Sequence, residues 1–89
     1  MQLKDNYTLQ KVGEEYVLLA QDSLQVDFSK VITLNETAAD IWRYIKNQNF
    51  DIQTIITYLT NNYDVDIETA QADAQEMIDS LLSIGAIIR

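Results

Sequence analysis

One stretch of the sequence, residues 31–45, joins the end of a strand to the start of a helix. The apolar, β-branched run at 31–34 is typical of a strand. Asn35 follows and predicts a helix N-cap, because its short side chain can accept a hydrogen bond from a free amide of the first turn. Apolar residues then recur at helical spacing, at Ala38, Ile41, Trp42 and Ile45. We predict a helix over 36–47, which Trp42 anchors to a sheet.

Upstream of this stretch, apolar and polar residues alternate with the period of β-strands. Gly13-Glu14 has the composition of a two-residue hairpin turn. Residues 21–23 are predicted to form a polar loop, and residues 29–30 a turn. The sequence therefore predicts an antiparallel meander of three or four short strands, at residues 7–12, 15–20, 24–28 and 31–34.

Downstream, two more helices are predicted. Asp51 is an N-cap for a helix over 52–62, and Asp66 is an N-cap for a longer helix over 67–83. Gly85 suits the left-handed position that closes a helix, and residues 86–88 can add a short final strand. The longest helix has an apolar stripe consisting of Ile67, Ala70, Ala74, Met77, Ile78 and Leu81. We predict one α+β domain spanning residues 1–89, with a winged helix-turn-helix arrangement.

The composition argues against catalysis. The sequence has no histidine and no cysteine, so the commonest general base, thiolate chemistry and cysteine metal sites are all missing. No Asp-x-Asp-x-Asp-Gly metal loop occurs either. We predict a protein that is not an enzyme and uses no cofactor and no metal.

No apolar run in the sequence approaches the roughly 18 residues that a membrane helix requires. The first residues, from Met1 to Asn6, have no apolar signal segment. We therefore expect a cytoplasmic protein without a membrane partner.

The charge of the chain is strongly negative and unevenly distributed. The formal net charge is −8. Residues 47–88 contain no lysine or arginine, but they do contain Asp51, Asp64, Asp66, Glu68, Asp73, Glu76 and Asp79. DNA binding requires basic residues to replace the counterions of the phosphates, and the helix over 67–83 offers none. We predict no nucleic-acid partner. Such a surface favours a basic partner, or it serves solubility alone.

An Asp-Ser-Leu motif occurs at Asp22-Ser23-Leu24 and again at Asp79-Ser80-Leu81. Acidic carrier proteins attach phosphopantetheine to the serine of such a motif, where the serine opens a helix. Here Ser23 falls between strand patterns and Ser80 falls near the end of a helix. A match of three residues has low specificity, so an acidic carrier protein stands as an alternative, as does a structural interaction domain.

The strand at 31–33 is apolar and β-branched, with only Lys30 beside it to discourage edge pairing. If this strand forms an edge of the meander, it can accept an extended peptide as an additional strand. The alternative is a strand that the third helix or a dimer partner covers.

The residues Ile32-Thr33-Leu34-Asn35-Glu36-Thr37-Ala38-Ala39-Asp40-Ile41-Trp42 resemble the "LN-x-ta-x-x-iW" signature of the PqqD-like family. The resemblance continues through Tyr63-Asp64-Val65 and through Leu81 and Gly85 near the end. It implies a RiPP recognition element, a non-catalytic winged helix-turn-helix module. Such modules bind the leader of a ribosomally made precursor peptide and present it to a modifying enzyme, often a radical SAM protein.

In the family, the leader adds to the third strand and packs against the third helix. The resemblance therefore implies peptide-binding residues on the strand and on the helix, namely Val31, Ile32, Thr33, Asp73, Met77 and Ser80. The region 21–30 departs from many relatives, so Val26 and Phe28 stand as an alternative edge. The acidic third helix leads us to expect a leader with basic or amide-rich flanks. The sequence leaves open whether the protein is a monomer or a homodimer.

Overall fold

The chain places its long strands before its helices, as an α+β fold. The computed structural model describes residues 1–22 and 25–88, and for residues 22 and 25–28 it describes only the backbone. The elements are β1 (Gln2–Leu3), β2 (Tyr7–Val12), β3 (Glu15–Asp22), β4 (Gln25–Leu34), α1 (Glu36–Ile45), α2 (Ile52–Asn62), α3 (Ile67–Ser83) and β5 (Ile87–Ile88). The predicted fold class, an antiparallel meander followed by three helices, is confirmed.

The meander is a sheet with the strand order β2-β3-β4, and both pairs are antiparallel. Its first hairpin turns at Gly13 and Glu14, as predicted, and Val12 pairs with Glu15 across the turn. Gly13 has a φ of 64°, which a residue without a Cβ adopts without strain. Two-residue hairpins favour this backbone conformation because it matches the twist of the strands.

The predicted turn at 29–30 is wrong, and the predicted loop at 21–23 begins too early. Gln21 and Asp22 belong to β3, and Ser29 and Lys30 belong to β4, which runs unbroken over Gln25–Leu34. The reason is a register shift: Leu19 pairs with Val31, but Ala20 pairs with Asp27. Residues 28–30 therefore form a bulge on β4, which interrupts the alternation of the sequence without ending the strand. Of the predicted loop at 21–23 and strand at 24–28, residues 23 and 24 lie outside the described residues.

All three predicted N-caps are confirmed. The side-chain oxygens of Asn35, Asp51 and Asp66 accept hydrogen bonds from the third amide of their helices at 2.8, 2.9 and 2.8 Å. The amides of Thr54 and Thr69 thereby hold the pKa of Asp51 and Asp66 below the ordinary value. The bounds of α2 and α3 agree with the prediction, and α1 ends two residues earlier than predicted, at Ile45.

The core lies between one face of the meander and the three helices. Trp42 is 6% exposed and belongs to this core, as predicted. Ala70 and Ala74 are fully buried, so α3 approaches its neighbours closely. Ile67, which was predicted to begin the α3 stripe, is 53% exposed instead, because the first turn of α3 begins at the protein surface.

A second, two-stranded sheet ties the two ends of the described chain together. β1 pairs with β5, with Leu3 opposite Ile87, and the Lys4 amide donates to the Ala86 carbonyl at 2.8 Å. The predicted final strand is confirmed at Ile87–Ile88, whereas β1 was not predicted. In the described part of the chain, none of the helices has both the length and the apolar character to cross a membrane.

Candidate functional site

β4 forms one edge of the meander. In the sheet order it has β3 on one side, and among the described residues no strand pairs with its other side. An edge strand presents backbone amides and carbonyls that can pair with another chain. The register of the sheet determines which residues of β4 direct these groups outward.

The first hairpin determines the direction of the backbone groups of β3. The pair that closes a two-residue hairpin, here Val12 and Glu15, exchanges backbone hydrogen bonds. Bonded and non-bonded pairs alternate along an antiparallel ladder, so the odd-numbered residues of β3 direct their amides and carbonyls toward β2. The Gln21 amide agrees, because it donates to the Asn6 carbonyl at 2.8 Å.

The even-numbered residues of β3 therefore direct their backbone groups toward β4. Leu18 pairs with Ile32, so Ile32 directs its amide and carbonyl inward, into the sheet. Its neighbours Val31 and Thr33 alternate with it and direct theirs outward, away from β3. This orientation holds from Leu34 to Val31, where the bulge of β4 shifts the register.

A groove of about 260 Å³ lies beside this end of β4. Its walls are the end of β4, α1, the end of α2 with the connection that follows it, and α3. The apolar part of its lining comprises Leu34, Ala38, Ile41, Leu59, Tyr63, Val65 and Met77. The polar part of the lining includes Thr33, Ser80 and the carboxylates of Asp73 and Glu76. The groove thus combines an open strand edge, an apolar floor and an acidic wall.

The structure brings four of the six predicted site residues together. Thr33, Asp73, Met77 and Ser80 all line the groove. Val31 and Ile32 lie further along β4 and do not line it; Ile32 packs against the core instead. The alternative edge residues, Val26 and Phe28, are on β4 as well. Val26 lies beyond the register shift, Phe28 lies in the bulge, and the side chains of both are outside the described residues.

Tyr63 and Val65 line the groove from the connection between α2 and α3. They were not predicted as site residues, although both lie in the stretch that resembles the PqqD-like family. No helical or strand period marks them, because they lie between elements. The Tyr63 hydroxyl donates a hydrogen bond to Asp40 Oδ2 on α1 at 2.7 Å. This bond to a carboxylate is the main cause that raises the pKa of Tyr63 to about 12.

Most of the exposed side chains of α3 are acidic or polar. They include Glu68, Gln71, Asp73, Gln75, Glu76 and Asp79. Among the described residues, no three acidic side chains converge closely enough to hold a metal ion. Ser80, one serine of the Asp-Ser-Leu motifs, lies in the last part of α3 rather than at the start of a helix. The other, Ser23, is outside the described residues.

An open strand edge beside a helix-lined groove is an arrangement that binds extended peptides, with the backbone supplying affinity and the groove supplying selectivity. The chain belongs to the family described as Coenzyme PQQ synthesis protein D (PqqD), which it matches over residues 15–87. None of the curated proteins matches the chain.

Two solved structures share the fold. One is TbiB1 in complex with the TbiA(beta) leader peptide, with 22% identity and a TM-score of 0.64, over 92% of this chain and 88% of that one. The other is lasso peptide synthetase B1 complexed with the leader peptide, with 23% identity and a TM-score of 0.67, over 99% of this chain and 96% of that one.

Proposed function

We propose that this protein is a peptide-binding adaptor that recognises the leader of a ribosomally made precursor peptide by strand addition. The observation that supports this most directly is the outward backbone of Val31 and Thr33 on the open edge of β4, where Thr33 lines the groove. Membership of the PqqD family and the leader peptides bound to both structural relatives support the same role. The adaptor then presents the precursor to a modifying enzyme, and a radical SAM enzyme is the candidate that the family favours.

The strand register predicts how the peptide lies. A peptide paired with β4 continues the alternation of the sheet, so its residues next to Ile32 and Leu34 direct their side chains to the helix side. Leu34 is buried and lines the groove. Apolar side chains at alternate positions of the peptide would therefore fill the floor of the groove. Each backbone bond contributes a net 0.5–1.5 kcal/mol or so, and burial of the apolar side chains supplies most of the remaining affinity.

We propose no chemical step for this chain. The sequence has no histidine and no cysteine, so the commonest general base and thiolate chemistry are missing. A peptide-binding adaptor requires neither. Residues 15–87, which match the family, include β3, β4 and all three helices, so we assign the whole chain to one peptide-binding domain.

The proposed function can be tested by selecting ligands for the immobilised protein from a displayed library of random 20-residue peptides. The selected peptides should share apolar residues at alternate positions, and titration should shift the backbone amide signals of Val31 and Thr33. Replacing Ser80 with tryptophan should fill the groove and weaken binding of the selected peptide at least about tenfold, because the peptide side chains can no longer enter. Calorimetric titration measures the loss.

Gln71→Trp is the matched control for this variant. Gln71 lies on α3 and is exposed, but it does not line the groove. The Gln71→Trp variant should bind the selected peptide with the affinity of the wild type. Equal binding by Ser80→Trp and the wild type, or the absence of any selected peptide, would contradict the proposal.

The acidic wall predicts a preference for basic peptides. Asp73 is exposed and lines the groove. Asp73→Lys should therefore lower the affinity for a peptide with lysine or arginine flanks roughly three- to tenfold at low salt, and less at high salt. Glu68→Lys makes the same charge change on α3 outside the groove and should have a smaller effect. Affinities that are the same for wild type and Asp73→Lys would rule out the charge preference.

A further inference from the structure

Tyr63 lies in the connection between α2 and α3 and forms part of the wall of the groove. Its backbone is extended, with φ −134° and ψ 153°, and its amide still donates to the Leu59 carbonyl at the end of α2. The chain thus leaves the helix at this residue while the side chain stays beside Leu59 in the groove lining. Val65 from the same connection also lines the groove, so the position of this connection determines part of the shape of the groove.

A side chain of α1 holds Tyr63 in place. The Tyr63 hydroxyl donates to Asp40 Oδ2 at 2.7 Å, across 23 residues of sequence. The Tyr63 ring meets the Tyr58 ring edge to face, with centroids 6.2 Å apart. The other carboxylate oxygen of Asp40 accepts from Arg43 at 3.0 Å on the protein surface. Asp40 therefore links the connection between α2 and α3 to α1.

This hydrogen bond lies at the periphery of the core. Tyr63 is only partly buried and packs against the core cluster without belonging to its fully enclosed part. Asp40 is also only partly exposed, with 35% of its side chain accessible. The buried residues of α1 and α2, such as Ile45, Ile55 and Leu59, hold the helices together without it. Its effect should therefore fall on the wall of the groove more than on the stability of the fold.

We propose that Asp40 is a positioning residue for peptide binding: it fixes the Tyr63 ring, and with it the connection between α2 and α3, in the conformation that the peptide side chains require. This inference rests on the proposed function and names a residue that acts on the peptide only through Tyr63. A wall that is already ordered before binding need not be ordered by the ligand, so the hydrogen bond raises affinity by preorganisation. Asp40 itself does not line the groove.

Variants of Asp40, Arg43 and Tyr63 separate this role from a general structural one. Asp40→Ala removes the acceptor, Asp40→Asn keeps an acceptor oxygen, and Arg43→Ala removes the surface ion pair while leaving the bond to Tyr63. Tyrosine labelled with ¹³C at Cζ reports the pKa of Tyr63 by NMR, with Tyr63→Phe identifying its signal. The ligand is a peptide selected from the random library, and its affinity is measured by calorimetry. Thermal unfolding confirms that each variant is folded.

Asp40→Ala should lower the pKa of Tyr63 from about 12 toward the ordinary value. It should also lower the affinity for the peptide roughly three- to tenfold, the size expected for the loss of one hydrogen bond. Asp40→Asn should recover most of the affinity, and Arg43→Ala should leave it unchanged. Tyr63→Phe should lose about as much affinity as Asp40→Ala, and the double variant should lose no more than either, because both changes break the same bond.

Two results would overturn the inference, and they differ from each other. If the wild type selects no peptide, the proposed function fails and the positioning role fails with it. If the wild type binds a peptide and Asp40→Ala binds it equally well despite a lowered pKa of Tyr63, only the positioning role fails. The NMR titration needs no ligand, so it establishes in either case whether the hydrogen bond was broken.

Discussion

Replacing Thr33 with proline is expected to abolish binding of a leader-like peptide while leaving the protein folded. Thr33 directs its amide away from β3, so the substitution removes no hydrogen bond of the sheet. The same amide is the donor we assign to the incoming peptide. An unpaired carbonyl on the bound peptide costs about 1–3 kcal/mol, or roughly five- to 150-fold in affinity. The proline ring also obstructs the approach of the peptide backbone. Calorimetry measures binding, and circular dichroism confirms the fold.

Ile32→Pro is the matched control, one residue away. The Ile32 amide points into the sheet toward Leu18, so proline there removes a hydrogen bond of the ladder and leaves its acceptor unpaired, which should cost about 1–3 kcal/mol in stability. Val31→Pro should behave like Thr33→Pro if the peptide extends as far as the bulge. The assignment of the outward edge would be wrong if Thr33→Pro unfolded the protein and Ile32→Pro did not, or if all three variants bound peptide normally.

Replacing Trp42 with alanine is expected to have the largest effect on stability. Trp42 is 6% exposed and lies in the core that joins α1 to the meander. Removing so large a buried side chain lowers the free energy of unfolding by about 3–5 kcal/mol. A chain of this length has a total of about 4–13 kcal/mol, so the variant should lose at least about a quarter of its stability, and all of it at the lower end of that range. Urea unfolding followed by circular dichroism measures the change, because the variant has no tryptophan fluorescence.

Trp42→Phe separates packing from hydrogen bonding. The indole Nε1 is buried and finds no hydrogen-bond partner among the described residues. Phenylalanine keeps an aromatic ring and removes this donor, so it should lose clearly less stability than alanine does. The Lys46 ammonium lies 4.9 Å from the centre of the indole ring, and Lys46→Ala should change stability only slightly. A loss below about 1 kcal/mol for Trp42→Ala would show that this residue is not the anchor we describe.

Several features could be predicted from the sequence because their causes are local. The side chains of Asn35, Asp51 and Asp66 cap the helices that begin immediately after them, so short-range hydrogen bonds set these boundaries. Gly13 and Gly85 adopt positive φ angles where the sequence predicted a turn and a helix end. The periodicity of apolar residues was sufficient to predict the helices and the fold class.

Features that depend on distant partners could not be predicted in this way. Strand β1 exists because it pairs with β5 at the opposite end of the chain. The polar residues at 29–30 have the composition of a turn, although the residues on either side of the bulge pair with β3 and keep them within a strand. The hydrogen bond between Tyr63 and Asp40 joins two segments that have no shared sequence pattern.

The candidate site likewise combines features with local causes and features that depend on distant partners. The sequence by itself determined the helices, their caps and the acidic face of α3, because each follows from neighbouring residues or from composition. Thr33, Met77 and Ser80 were predicted from the resemblance to the PqqD-like family. Only the tertiary structure decided that β4 is an edge, that Val31 and Thr33 rather than Ile32 direct their backbone outward, and that Tyr63 completes the groove. These features arise from strand pairing and helix packing, in which the contacting residues are far apart in the chain.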